Sequence, residues 1–330
     1  MAAMMPSCHE LEEQPNDPQG NFEALWKIID ERYCFLEEKG LDWDEVHDRY
    51  AALIRPGMSS QQLFTVLSDM LDELRDGHVN LASPFATSYY RKWWSDYPQN
   101  YNERIIQEYY FNFDYRQLGA FTYQLLPQNI GYIHYSTFEG GFGAGNFDYV
   151  LSYFRAANAL IIDVRDNGGG SLDNVEDIVN RFIDKRTLAG YIVHKTGPGH
   201  TDFDKPYAYY FEPAGEGHLG WGKPVVVLCN RSTFSAANNF VSIMRLLPNC
   251  TVVGARTGGG SGMPLNQDLP NGWNVRFSAC SILDAEGKTT EFGVDPTPGC
   301  AVDMTEEEIA QGKDAILDFA IEYINTRLLQ

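Results

Sequence analysis

The chain has 330 residues, of which 44% are hydrophobic and 13% aromatic, and its formal net charge at pH 7 is -20. This length and composition predict a globular protein with one large domain or two of ordinary size. The negative charge argues against nucleic acid or an anionic membrane surface as a main partner, because both would be repelled.

Six cysteines are widely spread, and no pair has a zinc-ligand spacing such as C-x-x-C, so we expect no metal and no cofactor. Free core thiols and a disulfide among the last four cysteines both fit the spacing. No run of about 18 apolar residues exists, which predicts no membrane-spanning helix. Cys8 resembles the lipid-bearing cysteine of a trimmed bacterial lipoprotein, and a start-site remnant explains it equally well. Membrane contact is therefore expected only through a lipid anchor at Cys8.

The N-terminal part is predicted to be helical. We expect residues 1–20 to be a polar, flexible lead-in and residues 21–84 to form a helical domain. The stretches "NFEALWKIIDERYCFLEE", "WDEVHDRYAALI" and "SSQQLFTVLSDMLDELRDG" place apolar residues at helical spacing. His78 follows the glycine that ends the third helix. The aromatic-rich residues 85–118 are predicted as a connecting segment, more typical of core or interface than of a ligand site.

Residues 119–330 alternate between strand and helix patterns. Continuous apolar runs such as "NALIIDV" and "KPVVVLCN" are typical of strands buried on both faces. Such alternation predicts an α/β core in which helices flank a mainly parallel sheet. Near the end, Thr305 and Glu308 have the spacing of a capping box, which predicts a helix start.

Ligands of parallel sheets bind beyond the carboxyl ends of the strands, and three segments of the core follow strands there. The first, "LIIDVRDNGGGSL", predicts an oxyanion hole or phosphate cradle made of backbone N–H groups, or else a tight turn. Walker and dinucleotide glycine patterns are not matched, which disfavours phosphate. The third, "VGARTGGGSGMP", predicts either the lining of a cleft or a surface loop.

The second segment, "LCNRSTFSAANNF", places Ser235 at the start of a predicted helix. A serine there is commonly an N-cap, and Ser232 competes for that role. The alternative is a nucleophile, with the N–H of Ala236 directed at the acyl oxygen. A serine nucleophile needs a neighbouring base, because its hydroxyl is too weakly acidic.

Together these segments resemble the C-terminal processing peptidase family, which includes the tail-specific proteases, the catalytic core of tricorn protease and the interphotoreceptor retinoid-binding proteins. The matching elements are "DGHVNL", "LIIDVRDNGGGS", "KPVVVLCNRSTFSAANNF", "TVVGARTGGGSG" and "TEFGVDP", in family order over most of residues 20–303. The resemblance is to bacterial members that have an N-terminal helical region and lack a PDZ domain. It implies a crotonase/ClpP-like core and a serine peptidase that cleaves extended polypeptides in the cell envelope.

The resemblance also implies roles for individual residues. Ser235 falls on the nucleophile, and the N–H groups of Ala236 and of Gly168 or Gly169 fall on the oxyanion hole. Substrate binding falls on Gly258, Gly259 and Gly260. In the tail-specific branch a lysine base follows T-x-G, but Gly260 stands at that position here. The tricorn-like branch uses a histidine base whose ring is oriented by a glutamate. This implies that His78 is the base and that Glu291 is the orienter, meaning the carboxylate that fixes the orientation of the ring.

Several alternatives stay open. His134 is a rival base, and Asp76, Asp163 and Asp166 are rival orienters. A non-catalytic ligand-binding protein on the same fold is the second functional hypothesis, in which residues 85–123 would line an apolar pocket. A third hypothesis is an esterase, although no G-x-S-x-G elbow surrounds Ser235. In each case a peptide, protein or small molecule is the expected partner, and nucleic acid is not.

Overall fold

The computed structural model describes residues 14–329, which fold as two compact units. The first unit contains the chain up to Tyr90 together with Lys195–Phe203 and Pro264–Ala279. The second unit contains Arg91–His194, Asp204–Met263 and the chain from Cys280 onwards. Cys8 lies outside the described residues, and the first helix already begins within the predicted lead-in.

The regular elements are numbered in chain order. The helices are α1 (Pro18–Arg32), α2 (Trp43–Ala51), α3 (Ser60–Asp72), α4 (Lys92–Ser95), α5 (Glu103–Ile105), α6 (Ala144–Tyr153), α7 (Leu172–Val179), α8 (Ala236–Met244), α9 (Glu306–Ala310) and α10 (Ala315–Tyr323). The strands are β1 (Asn80–Ala82), β2 (Arg116–Leu118), β3 (Phe121–Leu126), β4 (Ile130–Tyr135), β5 (Ala159–Asp163), β6 (Thr187–His194), β7 (Tyr207–Phe211), β8 (Val225–Cys229), β9 (Cys250–Gly254), β10 (Gly262–Asp268) and β11 (Asn274–Leu283).

In the first unit, the three predicted helices are present and each begins at a polar cap. Asp17 and Asp42 accept hydrogen bonds from backbone N–H groups of α1 and α2, and Ser59 forms a capping box with Gln62 at the start of α3. The apolar faces of these helices pack together with Val275 and Phe277 from the first half of β11. That half of β11 pairs antiparallel with β1, so the segment after His78 joins a sheet.

The second unit contains a six-stranded sheet with the order β2-β3-β4-β5-β8-β9. The pairs β4–β5, β5–β8 and β8–β9 are parallel, which confirms the predicted α/β core. The pairs β2–β3 and β3–β4 are antiparallel and were not predicted. A separate antiparallel set in this unit joins β7 to β6 and β6 to the second half of β11.

Both faces of the six-stranded sheet are covered, which explains the continuous apolar runs. Leu160 and Ile162 of β5 pack with residues of α6, α7 and α8, whereas Ile161 faces the opposite core with residues of α10. Alternate side chains of one strand point to opposite faces, so a strand buried on both sides must be apolar throughout. The Thr305 capping box predicted at the start of α9 is confirmed.

No disulfide joins the cysteines found within residues 14–329.

Across the same described residues, no helix is both long enough and apolar enough to span a membrane.

Candidate active site

The parallel strands bring three loops to one edge of the sheet in the second unit. β5, β8 and β9 run in the same direction and end at Asp163, Cys229 and Gly254. The segment "RDNGGGS" follows β5, the segment that contains Ser235 follows β8, and the third glycine-rich loop follows β9. The predicted convergence of these segments is therefore present among the described residues.

Ser235 adopts a strained backbone conformation at the start of α8. Its φ is 56° and its ψ is -122°, in a region that non-glycine residues rarely occupy and that costs about 1–3 kcal/mol. Its backbone N–H donates to the carbonyl of Gly259 at 2.9 Å. The side chain makes no N-cap hydrogen bond, although the residue stands at the N-cap position. The helix-cap role that the sequence allowed for Ser235 is therefore absent, and Ser232 does not hold the cap position either.

The glycine loop after β5 packs directly against Ser235. A Cβ placed on Gly169 would lie 2.7 Å from the Ser235 Cβ and 2.9 Å from the Ala236 nitrogen, so only hydrogen fits there. The φ of Gly169 is 101°, which also favours glycine. Asn167 supports this turn, because its Oδ1 accepts from the Gly169 N–H at 2.9 Å and its Nδ2 donates to the Tyr135 carbonyl at 2.8 Å.

Two backbone N–H groups beside Ser235 remain available. The Gly169 N–H is taken by Asn167, whereas within residues 14–329 no acceptor is recorded for the N–H of Gly168 or of Ala236. No atom outside its chain neighbours lies within 4 Å of a Cβ built on Gly168, so this glycine borders open space. The Ala236 N–H is also at the positive end of the nine-residue helix α8. These two donors can stabilise an oxygen anion next to Ser235.

Each glycine of the third glycine-rich loop lies close to another part of the protein. A Cβ would lie 2.5 Å from a Trp93 ring carbon at Gly258, 1.9 Å from the Glu291 carbonyl oxygen at Gly259, and 2.3 Å from a Phe234 ring carbon at Gly260. These contacts explain why the positions are glycines. Their predicted role in substrate binding stays a prediction.

Glu291 is buried against this same loop. Its carboxylate Oε2 accepts from the N–H of Ser261 at 2.9 Å, and its carbonyl accepts from the N–H of Gly260 at 3.2 Å. Because the neighbouring Gly259 carbonyl accepts from the Ser235 N–H, one short loop connects the glutamate and the serine. The second unit thus brings together Ser235, both candidate oxyanion donors and Glu291.

His78 belongs to the first unit, where it is buried beside Asp76. Its backbone N–H donates to the Asp76 Oδ1 at 2.7 Å, and its ring Nδ1 lies 3.9 Å from that same oxygen. Burial, with the positive charges of Arg276 and Lys39, lowers the pKa of His78 to about 4. The negative charge of Asp76 acts in the opposite direction but is the weaker effect. The imidazole is therefore neutral at pH 7 and able to accept a proton.

Asp76 is firmly ionised at neutral pH. Burial alone would raise the pKa of its carboxyl group, but the charges of Lys39 and His78 and the hydrogen bonds it accepts hold the pKa below its ordinary value. Its Oδ2 accepts hydrogen bonds from the hydroxyls of Tyr33 and Ser278, each at 2.9 Å. Among the rival orienters, Asp76 is thus the one fixed beside the His78 ring.

The other rival residues have different environments. His134 is buried at the end of β4, where its ring stacks on Tyr101 at 5.0 Å and burial lowers its pKa. Asp163 is engaged by the guanidinium of Arg165 at 2.6 Å. Asp166 is an exposed residue, and partial desolvation raises the pKa of its carboxyl group. These contacts give His134 and Asp163 structural roles in the core.

Sequence reasoning missed the contribution of the aromatic-rich segment to this site. The ring of Trp93 stacks on that of Phe234, directly before Ser235, with centroids 4.1 Å apart and an interplanar angle of 25°. The guanidinium of Arg231 lies over the ring of Tyr97 at 4.3 Å. Nothing in the spacing of these aromatic residues identifies which of them contacts the serine loop.

A strained serine at the end of a parallel strand, packed on a glycine turn that leaves two N–H donors, defines a hydrolase-type site. The model of peptidase family S41 matches residues 129–298, and the model of the tricorn protease C1 domain matches residues 14–72. A solved structure of a candidate peptidase from Parabacteroides merdae ATCC 43184 is 47% identical, with a TM-score of 0.88, and the match covers 94% of this chain and 97% of that chain. The chain belongs to peptidase family S41.

Two curated relatives are more distant. A candidate tricorn-like protease C-terminal subunit of Sulfurisphaera tokodaii is 28% identical over 58% of this chain and 20% of its own length. The carboxy-terminal processing protease CtpA of Bacillus subtilis is 25% identical over 50% of this chain and 33% of its own length. The chain thus spans a third or less of the length of these relatives.

Proposed function

We propose that this chain is a serine-type peptidase that cleaves extended polypeptides through an acyl-enzyme intermediate. The observation that carries the proposal is the strained Ser235, whose side chain does not cap α8 and which is packed on the Gly169 turn. A nucleophile held on a sharp strand-to-helix turn exposes its hydroxyl to a substrate. Membership of a family of peptidases and the likeness to CtpA support the same reaction.

In the proposed mechanism, the Ser235 oxygen attacks the carbonyl carbon of the scissile peptide bond. The His78 imidazole takes the hydroxyl proton and then gives it to the departing amine, so the proton balance closes without another acid. The carbonyl oxygen becomes negative in the tetrahedral intermediate, where the N–H groups of Gly168 and Ala236 stabilise it. One such donor contributes about 3–4 kcal/mol to catalysis. Water then hydrolyses the acyl-enzyme by the same path.

We further propose Glu291 as the residue that orients the His78 ring, with Asp76 as the alternative carboxylate. The lowered pKa of His78 keeps its ring at pH 7 in the neutral form, which is the form that can accept a proton. Gly258, Gly259 and Gly260 would support the bound peptide through their backbone. Cleavage near a substrate's C-terminus and a cell-envelope location are the finer parts of the proposal.

The proposal is tested by hydrolysis of an unfolded protein such as reduced casein, with products identified by mass spectrometry. We expect Ser235→Ala to abolish product formation. The matched control is Ser152→Ala on the exposed face of α6, which should cleave at the wild-type rate. Products that arise first from the substrate's C-terminal end support the processing activity. Equal cleavage by Ser235→Ala would refute the mechanism, and absence of wild-type cleavage with a co-purified apolar ligand would favour a binding protein.

A further inference from the structure

One buried side chain connects the glycine turn and the serine loop. Asn230 follows β8 directly and is 3% exposed. Its Oδ1 accepts from the N–H of Asp166 at 3.2 Å and from the N–H of Ser232 at 3.1 Å. Backbone N–H groups can only donate, so both contacts require the amide oxygen at this point. The amide of Asn230 therefore bridges the two loops that carry the candidate oxyanion donors and Ser235.

The other end of the same amide is also fixed. Its Nδ2 donates to the Oδ1 of Asn100 at 2.8 Å, and Asn100 is itself 3% exposed. The Nδ2 of Asn100 donates to the Oδ1 of Asp303 at 2.7 Å. Each hydrogen-bonding direction in this chain of amides is thus determined by its partner. The aromatic-rich segment, which contains Asn100, anchors Asn230 from outside the two loops.

Two more hydrogen bonds join the same loops at neighbouring points. The hydroxyl of Thr233 donates to the Val164 carbonyl at 2.8 Å, and the N–H of Phe234 donates to the Asn167 carbonyl at 3.0 Å. The N–H of Asn230 donates to the Thr233 hydroxyl oxygen at 3.1 Å. Asn230 therefore supports the Thr233 contact as well as making its own.

We propose that Asn230 is a positioning residue for the peptidase reaction, which sets the distance between Ser235 and the Gly168 N–H. The inference rests on the proposed function, since it concerns the same site. Removal of the amide takes the acceptor from two partly buried N–H groups, those of Asp166 and Ser232, and the loops shift to satisfy them. A displacement of about 1 Å at a reacting group costs about 100-fold in rate. Because Asn230 is buried, its effect passes through the two loops.

The test compares Asn230→Leu with Asn230→Asp in the full chain. Leucine keeps the branched shape but removes the side-chain hydrogen bonds, and we expect kcat to fall about 100-fold while KM changes less than about threefold. A protonated aspartate reproduces the amide, since its C=O accepts and its O–H can donate to Asn100. Burial raises the pKa of such a carboxyl group. We therefore compare the ratio of the Asn230→Asp rate to the wild-type rate at two pH values. This ratio should be at least about tenfold higher at pH 5 than at pH 8.

The matched control is Asn249→Leu, because Asn249 also donates one side-chain hydrogen bond, to the Lys223 carbonyl at 2.9 Å, and lies in neither loop. It should leave kcat and KM unchanged. If Asn230→Leu does not fold, Asn100→Ala decides instead, since it removes the partner of the Asn230 Nδ2, together with the hydrogen bond to Asp303, and leaves Asn230 in place. We expect it to lower kcat by about tenfold with KM unchanged.

Two results would overturn the inference. One is a folded Asn230→Leu chain with wild-type kcat, or one whose thermal midpoint falls while kcat is unchanged. The other is an Asn230→Asp chain that matches Asn230→Leu at every pH. Failure of the proposed function looks different, because then the wild type itself would show no cleavage and no labelling of Ser235.

Discussion

Gly169 and Ser235 approach each other so closely that no side chain fits between them. A Cβ on Gly169 would lie 2.7 Å from the Cβ of Ser235, and 2.7 Å from the carbonyl oxygen of Phe234. Real Cβ contacts are essentially never this short, and two of the three nearest atoms belong to backbone that cannot move aside cheaply. The glycine turn and the serine loop are therefore packed as one arrangement, and a change in either displaces the other.

This contact predicts a severe effect of Gly169→Ala. The added methyl group must push the turn away from Ser235, so we expect a loss of about 100-fold or more in kcat. Strain at φ 101° should also lower the free energy of unfolding by about 1–3 kcal/mol. The measurements are steady-state kinetics and urea denaturation.

The control for that change is Gly145→Ala, the same substitution inside α6. Nothing lies within 4 Å of a Cβ built there. Alanine should leave activity unchanged and stabilise the helix by about 0.5–1 kcal/mol. Wild-type kcat in a folded Gly169→Ala chain would mean that the turn does not position the serine.

The low pKa of His78 predicts that the reaction rate stays high at an acidic pH where an ordinary histidine base would already be protonated. With a pKa of about 4, about 90% of the imidazole is neutral at pH 5, whereas an ordinary histidine would be about 3% neutral. The rate of fluorophosphonate labelling at pH 5 should therefore stay close to that at pH 7, with the protein still folded by circular dichroism. A rate that falls about 20-fold or more between these two pH values would mean that the base titrates like an ordinary histidine, which contradicts the lowered pKa of His78.

The same pKa predicts how stability depends on pH. Between pH 6.5 and 4 the unfolded chain binds a proton at residue 78 that the folded chain does not, so the free energy of unfolding falls with pH by up to roughly 3 kcal/mol. The lowered pKa of buried His134 acts in the same pH range, whereas that of Asp76 acts below its ordinary value of 3.8. His78→Gln should therefore reduce the slope from pH 6.5 to 4 in urea denaturation without abolishing it. An unchanged slope in this variant would show that another group is responsible.

A buried charge cluster predicts a large loss of stability. Arg165 is fully buried, and its guanidinium contacts Asp163 at 2.6 Å and Asp314 at 2.8 Å. Arg165→Met leaves two buried carboxylates without their cation, so we expect a loss of about 3–5 kcal/mol in urea denaturation. The exposed pair of Arg256 and Asp295 is the matched comparison, and Arg256→Met should change stability by less than about 1 kcal/mol. Equal effects of the two substitutions would contradict this assignment.

Strands β5 and β8 could be predicted from the sequence because every one of their residues is buried. Both faces of the sheet are covered, so each strand is apolar throughout and stands out along the chain. Strands β2, β7 and β10 were not predicted, since most of their residues are exposed or half-buried and so show no clear apolar pattern. Strand β3 was missed for a different reason: it is mostly buried, but Thr122 and Gln124 interrupt its apolar pattern.

The candidate site was only partly accessible from the sequence. The serine and the glycines stand out because their spacing after strands is visible along the chain. The sequence shows an asparagine directly after a buried strand but does not indicate its proposed positioning role. That role depends on hydrogen bonds to Asn100 and Asp166, which are distant along the chain and leave no local pattern.

The most direct test of the account is covalent labelling of the intact chain with a fluorophosphonate, followed by peptide mapping. We predict a single adduct on Ser235, formed at a rate that His78→Gln lowers at least about 100-fold, and no adduct on Ser235→Ala. An adduct on a different residue, or none on a folded wild-type chain, would contradict the assignment of Ser235 as the nucleophile.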